Sequence, residues 1–367
     1  MKKTLLLLTG LLLAHVSFSQ FHTMKIPQSS NAVSETQRLG VTDITITYHS
    51  PATRGREVRS NTDIIPQNGN PIPWRAGANM NTTIEFSTDV IIEGKALAAG
   101  KYGFHIIPNG NSHSLLFAHS NNQWGSYYLD TDKDVTLKVE VQDTVCAYSE
   151  KLDYEFLPKS ANAMTIGLEW GEKRIPFTVS VDLNKTVVES FRSELLGINT
   201  YHWQAWNDAA NWCLQHNTNL EEALEWATRS IEGGYGGFAA DKNITNLTTK
   251  ARILKALGRK EALTATVKEA SGIIETAMDA NALIIMLMEP ESFDQAIVVS
   301  EEAMKKFPDT WFLHLNYGIS NYFVGKQKQA EKNMEKAIAG APDQYAERLN
   351  QMLSEIKAGT FSMPERG

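Results

Sequence analysis

Near residue 183 the spacing of apolar side chains changes from every second residue to every third or fourth, and that switch restricts the chain to two cores of different kinds. Ahead of it, Ile44, Ile46 and Tyr48 alternate with Asp43, Thr45 and Thr47. The same alternation runs through Val135, Leu137, Val139 and Val141, then Leu152, Tyr154 and Phe156, then Met164, Ile166, Leu168 and Trp170, then Ile175, Phe177, Val179 and Val181. Successive side chains of a strand point to opposite faces, so each run describes a strand with one buried face. Roughly eight or nine such runs, separated by turn chemistry, predict an antiparallel all-β sandwich over residues 38–182. The turns are read at Glu93-Gly94-Lys95, Asn109-Gly110-Asn111 and Trp170-Gly171-Glu172. Pro176 cannot donate to a ladder and is expected at an edge or a bulge. The stretch from Pro51 to Pro73 shows no sustained alternation and reads as a long ordered loop, a class of segment that often carries function.

Beyond Asp182 the pattern is helical, with a linker expected over 183–200, an all-α repeat domain over 201–358 and a flexible tail over 359–367. Thr218 with Glu221, and Ser292 with Gln295, have capping-box spacing. Ala296, Ala303 and Pro308 recur 34 residues later as Ala330, Ala337 and Pro342, with Gly318 and Gly325 at the small positions of the later unit. Small residues at fixed points let two antiparallel helices approach closely, and the proline ends the second helix. This resembles the tetratricopeptide pattern, although the Trp of the first helix is displaced to Trp311 and the earlier unit lacks the glycine. Weaker echoes begin at Ala223 and at Ala262, which makes four degenerate hairpins. One hairpin cannot bury its apolar face alone, so the hairpins must stack on each other or against the β domain. The glycines from Gly233 to Gly237 follow a helix and lack the Lys-Ser/Thr pair of a phosphate loop, so they read as a hairpin connection.

The N-terminus has the grammar of an export signal: Lys2-Lys3, an apolar run from Leu5 to Leu13, and small residues at Ser17 and Ser19. Cleavage after Ser19 would leave an N-terminal arm over 20–37 and a periplasmic or secreted protein. No later segment reaches about 18 consecutive apolar residues, so no transmembrane anchor is expected after cleavage. The formal charge of −7 becomes two units more negative once Lys2 and Lys3 are removed. Nucleic-acid affinity comes largely from basic groups displacing counterions from phosphates, so that class of partner is not expected. Two cysteines remain, Cys146 and Cys213, one in each half; spacing alone does not decide whether they pair.

No motif establishes a reaction. His49, His105, His113 and His119 share no ligand-type spacing, and His105, alternating against Tyr102, Phe104 and Ile106, is expected to face solvent; neither a metal nor a cofactor is expected. No Gly-x-Ser-x-Gly elbow accompanies the Ser, His and Asp residues. Asp130, Asp132 and Asp134 lack the Gly and closing Glu of a helical calcium loop and read as a solvated turn. The cluster with most chemical content is Trp74, Arg75 and Asn79, with Lys101, Tyr102 and Trp124. Aromatic faces beside guanidinium, amide and ammonium donors suit a sugar or an anion; the competing reading makes Trp74 and Trp124 core or corner residues.

These residues carry a family resemblance. Gly55-Arg56-Glu57, Trp74-Arg75-Ala76-Gly77-Ala78-Asn79, Thr83-Ile84-Glu85-Phe86-Ser87, Ala99-Gly100-Lys101-Tyr102-Gly103 with Ile107-Pro108, and Gln123-Trp124-Gly125 resemble the exported bacterial family known as domain of unknown function 2911. Leu168-Glu169-Trp170 and Val179-Ser180-Val181-Asp182 fit it as well, while Asn61 to Pro71 departs from it as an insertion. The helical part, including Trp203-Gln204-Ala205-Trp206-Asn207, is similar to an extension of longer members. The resemblance implies a compact β domain and an envelope address, and brings no reaction, cofactor or catalytic residue.

The sequence therefore points to an exported, non-enzymatic binding protein, its β domain for a small or glycan-like ligand and its helical repeats for a protein partner. A hydrolase of envelope or extracellular polymers, with carboxylates gathered in the 51–80 loop, is the second reading. A helical half that merely clamps the β domain is the third. For the export signal, intact-mass measurement of the exported protein is expected to show loss of Met1 to Ser19; a mass retaining them contradicts the assignment.

Overall fold

The structure is a computed structural model describing residues 27–288 and 292–363, so the expected signal segment 1–19 lies outside the described residues. Contacts divide the chain into two compact units at the Val181–Asp182 bond. The first is all-β. Its strands are β1 (Asn31–Leu39), β2 (Thr42–Ser50), β3 (Thr82–Phe86), β4 (Val90–Ile92), β5 (Lys95–Leu97), β6 (Gly100–Asn109), β7 (Ser112–Ala118), β8 (Val135–Gln142), β9 (Thr144–Ser160) and β10 (Ala163–Ser180). They form two antiparallel sheets, ordered β1-β2-β3-β6-β7-β8 and β5-β4-β10-β9. The inner faces share one core, in which Phe104 and Phe117 of the first sheet lie 5.5 and 6.0 Å from Phe177 of the second.

Several boundaries differ from the sequence reading. The expected arm over 20–37 includes most of β1, which pairs with β2 from Asn31↔Ser50 to Leu39↔Thr42. β1 is an edge strand exposed along most of its length, so it has no apolar alternation to read; its cross-strand contacts are polar, such as Thr36 with Thr45 at 2.8 Å and Arg38 with Asp43 at 2.7 Å. The turn expected at Trp170-Gly171-Glu172 is an irregularity within continuous β10, where the register against β9 shifts on both sides of Gly171. Pro176 sits where the β9 ladder has ended at Arg174↔Thr144 and before pairing with β4 begins at Val179↔Ile92, so no ladder bond is lost.

The second unit is all-α: α1 (Leu183–Glu194), α2 (Trp203–Gln215), α3 (Leu220–Glu232), α4 (Ile244–Ala256), α5 (Lys260–Gly272), α6 (Ala277–Leu287), α7 (Phe293–Lys306), α8 (Trp311–Phe323), α9 (Gln327–Gly340) and α10 (Ala346–Ala358). The expected 183–200 linker thus begins as a helix, started by the Asp182 side chain accepting from the Lys185 N–H and burying Val187 and Val188. Helices α2/α3, α4/α5, α6/α7 and α8/α9 pack as four hairpins, and the first helices stack in the order α2, α4, α6, α8, as in a tetratricopeptide-like solenoid. The Gly233 to Gly237 stretch connects α3 to α4. Of the expected flexible tail, residues 359–363 are described, and Phe361 is buried in the helical core.

Buried residues seven apart recur on the second helix of every hairpin: Ala223 and Ser230, Leu263 and Ala270, Ala296 and Ala303, Ala330 and Ala337. The echo placed at Ala262 is one residue out of phase; Ala262 is exposed and Leu263 takes the inward position. Neither expected capping box forms. Asn219 precedes α3 in place of Thr218, and the Gln295 amide donates to Thr264. Capping boxes occur instead at Asn243 with Asn246 and at Thr276 with Asp279. Among the described residues no helix is long and apolar enough to cross a membrane.

Gly318 marks the tightest approach in the last hairpin, since a Cβ there would lie 3.1 Å from the Ala330 carbonyl oxygen. Ala330→Leu is therefore expected to destabilise the helical unit by about 1–3 kcal/mol through overpacking. The check is the urea midpoint of the full chain followed by hydrogen exchange of α8 and α9 peptides; an unchanged midpoint contradicts the packing assignment.

Candidate functional site

A cleft of about 610 Å³ opens in the β unit, and the irregular segment between β2 and β3 builds most of its wall. Two anchors hold that segment. At its start, Leu152 N–H donates to the Pro51 carbonyl and Thr53 N–H to the Glu150 carbonyl, at 2.9 and 2.8 Å. Glu150 also accepts from Thr53 Oγ1 (2.5 Å), Tyr148 OH (2.7 Å) and the Arg54 N–H (2.9 Å), and these hydrogen bonds bring its carboxyl down to about 2. Near its end, Trp74 exchanges backbone hydrogen bonds with Ile106 of β6 at 2.7 and 2.8 Å, while its buried ring stacks on Trp170 of β10 at 6.2 Å.

Three arginines line this cleft, Arg54, Arg56 and Arg75. Arg56 donates from Nε to the Thr53 carbonyl (2.8 Å) and from Nη2 to the Ala52 carbonyl (2.9 Å). Arg75 donates from Nη1 to the Asn79 carbonyl (2.6 Å) and lies 5.5 Å from the Tyr127 ring centroid. Neutral carbonyls orient these two cations without cancelling their charge, and among the described residues Asp63 is the one carboxylate in the lining. Arg54, Ala76 and Asn79 all have positive φ, between 52° and 59°, so backbone strain of a kind that gathers at binding sites is concentrated here.

The loop from His119 to Asp134, between β7 and β8, passes beside the cleft. Gly125 N–H donates to the Asn79 carbonyl at 3.2 Å; its φ of 62° favours glycine, and a Cβ there would fall 2.5 Å from the Arg75 guanidinium carbon and displace that group. Beneath the loop, Ser126 Oγ is 2.7 Å from His105 Nδ1. His105 was expected at the surface. Strand alternation does turn it away from the core that holds Phe104 and Ile106, but the loop covers that outer face and buries it fully. Burial and the nearby Arg75 charge lower its pKa to about 4.

Of the residues singled out from sequence, Trp74, Arg75 and Asn79 meet at the cleft. Trp124 is exposed on the adjacent loop, bridged through its backbone to Met80. Lys101 and Tyr102 are not brought there. Lys101 faces solvent on β6 opposite Glu85, whereas Tyr102 is buried against Phe86 and donates its hydroxyl to the Ala98 carbonyl at 2.9 Å. Sequence reasoning misses Arg54, Arg56, Asp63 and Tyr127 as site residues; the available signal is a pair of arginines flanking Gly55 in a long irregular loop.

The other candidates resolve locally. Asp130 pairs with Lys133 at 2.7 Å and its N–H donates to Asp134 Oδ2 at 3.0 Å, which closes a turn. The histidines do not converge: His113 meets Asp143 at 3.2 Å, His119 meets Asp134 at 3.6 Å, and His49 is half-buried on β2. Among the described residues no three His, Cys, Asp or Glu are grouped to hold a metal ion. Cys146 and Cys213 are both free thiols.

The molecule is thus a two-unit protein, an antiparallel β-sandwich with a cationic cleft followed in sequence by tetratricopeptide-like hairpins. Residues 29–179 match the family described as Protein of unknown function (DUF2911), the family that the β-domain motifs resemble. No curated protein matches the chain. Among solved structures, it is similar to MamA, residue 41 to the end, from Desulfovibrio magneticus RS-1, with 15% identity and a TM-score of 0.29 over 43% of this chain and 88% of that one. It is also similar to a tetratricopeptide repeat protein from Parabacteroides merdae, with 15% identity and a TM-score of 0.34 over 48% of this chain and 66% of that one.

Burying His105 in its neutral form has a pH consequence. As pH falls below about 6.5 the unfolded chain takes up the proton first, so the β unit loses stability until the folded form also protonates near 4. The loss expected from this group is on the order of 3 kcal/mol. His105→Gln should make the fall in urea midpoint between pH 7 and pH 4.5 shallower, read from hydrogen exchange of β6 and β7 peptides. An unchanged pH dependence would assign the effect elsewhere.

Proposed function

We propose that this chain is an exported, non-enzymatic binding protein of the cell envelope, whose β unit captures an anionic ligand in the arginine-lined cleft and whose helical hairpins dock a protein partner. The observation that carries the reading is the convergence of Arg54, Arg56 and Arg75 on one cleft with a single carboxylate. Guanidinium forks match carboxylate and phosphate geometry, and a cation already oriented by a backbone carbonyl loses little freedom on binding. The cleft volume falls within the range of small-molecule sites.

A hydrolase would call for two carboxylates facing the cleft, and this charge balance favours binding over hydrolysis. For the helical unit, support comes from a surface hollow of about 510 Å³ that includes Leu214, Arg252 and Met286, drawn from the stacked first helices α2, α4 and α6. Stacked hairpins offer extended surfaces for partners in this manner.

Isothermal titration of the full chain with D-galacturonate, citrate and inorganic phosphate tests the cleft. At least one of them should bind, more weakly as salt is raised, and Arg75→Ala should lower that affinity roughly 10- to 100-fold, the value of a charge-assisted hydrogen bond. Absence of binding by all three anions, or an Arg75→Ala variant that binds as well as the parent, refutes the reading.

A further inference from the structure

The loop beside the cleft exposes three aromatic rings within five residues: Trp124 at 53%, Tyr127 at 61% and Tyr128 at 80%. Each large ring left in water forgoes substantial apolar burial, so a local run of them calls for a reason. Loose placement is not the reason, because the loop is stapled at several points. Asn81 N–H donates to the Gln123 carbonyl and Gln123 N–H to Asn81 Oδ1, each at 3.0 Å, and Tyr128 N–H donates to Gln123 Oε1 at 3.2 Å. Gly125 lies against Arg75, and buried Ser126 is held by His105. The rings are therefore displayed from a rigid base.

Tyr127 joins this loop to the cleft, since it belongs to the lining and sits beneath the Arg75 guanidinium. Hydroxyl and amide groups from Ser29, Ser30, Thr62 and Asn79 complete the polar wall. Cationic forks, small hydrogen-bonding groups and a continuation of exposed rings describe a ligand that is at once acidic, hydroxyl-rich and built of successive rings. We propose that the cleft and the 124–128 loop together bind an acidic oligosaccharide, a chain of pyranose units bearing carboxylates. One uronate carboxylate pairs with Arg75 and Arg56 in the cleft, and neighbouring sugar units lay their C–H faces on the rings of the loop. The proposal rests on the anion-binding reading of the cleft and adds to it the ligand class and a second contact surface.

Titrations of the full chain test it, with hexameric uronate oligosaccharides of three kinds (galacturonate, alginate and hyaluronan fragments), their monomeric uronates, maltohexaose as a neutral chain of equal length, and hexathymidylate as an anionic chain of another class. The expected result is that at least one hexameric uronate binds tenfold or more tightly than its monomer, and tenfold or more tightly than maltohexaose and hexathymidylate. Trp124→Ala and Tyr128→Ala, both at exposed positions, should each weaken that hexamer about tenfold. Hexamers no tighter than monomers, variants without effect, or equal binding of maltohexaose or hexathymidylate would overturn the proposal. If the monomers or phosphate bind while the hexamers gain nothing, the anion site stands and the oligosaccharide assignment falls. If no anion binds, the reading of the cleft itself falls.

Discussion

Everything the cleft can do depends on how Trp74 is held. Its backbone is paired in both directions with Ile106 of one sheet, and its ring stacks on Trp170 of the other. An aromatic pair of this kind contributes about 0.5–1.5 kcal/mol beyond simple burial. Here it also closes a segment that runs from Pro51 to Asn81 without a regular strand, whose ordering costs entropy at every residue. With Trp74 at one end and Glu150 gripping Thr53 and Arg54 at the other, the intervening chain is drawn across the sandwich. Arg54, Arg56 and Arg75 face one space as a result.

The cations of the β unit include two contrasting groups. In one, cations are answered locally: Lys173 reaches Asp143 at 2.9 Å, Arg174 pairs with Glu169, and Arg38 pairs with Asp43. Such pairs serve the fold, and the exposed ones contribute little. In the other, at the cleft, Arg56 and Arg75 are oriented by carbonyl oxygens, which are neutral and leave the cationic charge in place. Gathering three arginines around one carboxylate works against folding, so the arrangement makes physical sense when a ligand supplies further negative charge. Positive φ at Arg54, Ala76 and Asn79 adds a second local cost at the same place.

How much of this was legible in the sequence follows from which faces are buried. β2 and β8 bury one face against the core and show period two plainly, whereas β1, solvated over most of its length, offers nothing to read. The helical repeat was visible where alanines fill the close contacts of α7 and α9, and it slipped by one residue on α5 because leucine occupies the equivalent place. At the site, Trp74, Arg75 and Asn79 could be grouped because they are neighbours in sequence. Arg54 and Arg56 lie some twenty residues earlier in the same irregular segment and Tyr127 in another loop, and tertiary closure, which no spacing rule encodes, brings them to the cleft. Lys101 and Tyr102 were drawn in by their motif, yet as adjacent residues of β6 they point to opposite faces, one into solvent and one into the core.

The most direct test of a single cationic site is nuclear magnetic resonance of the arginine Nε–Hε groups in the full chain during titration with a uronate. The account predicts that the signals of Arg54, Arg56 and Arg75 move together and saturate at one ligand per chain, while those of Arg38 and Arg174 stay in place. Shifts spread evenly over the arginines, or confined to arginines outside the cleft, would contradict it.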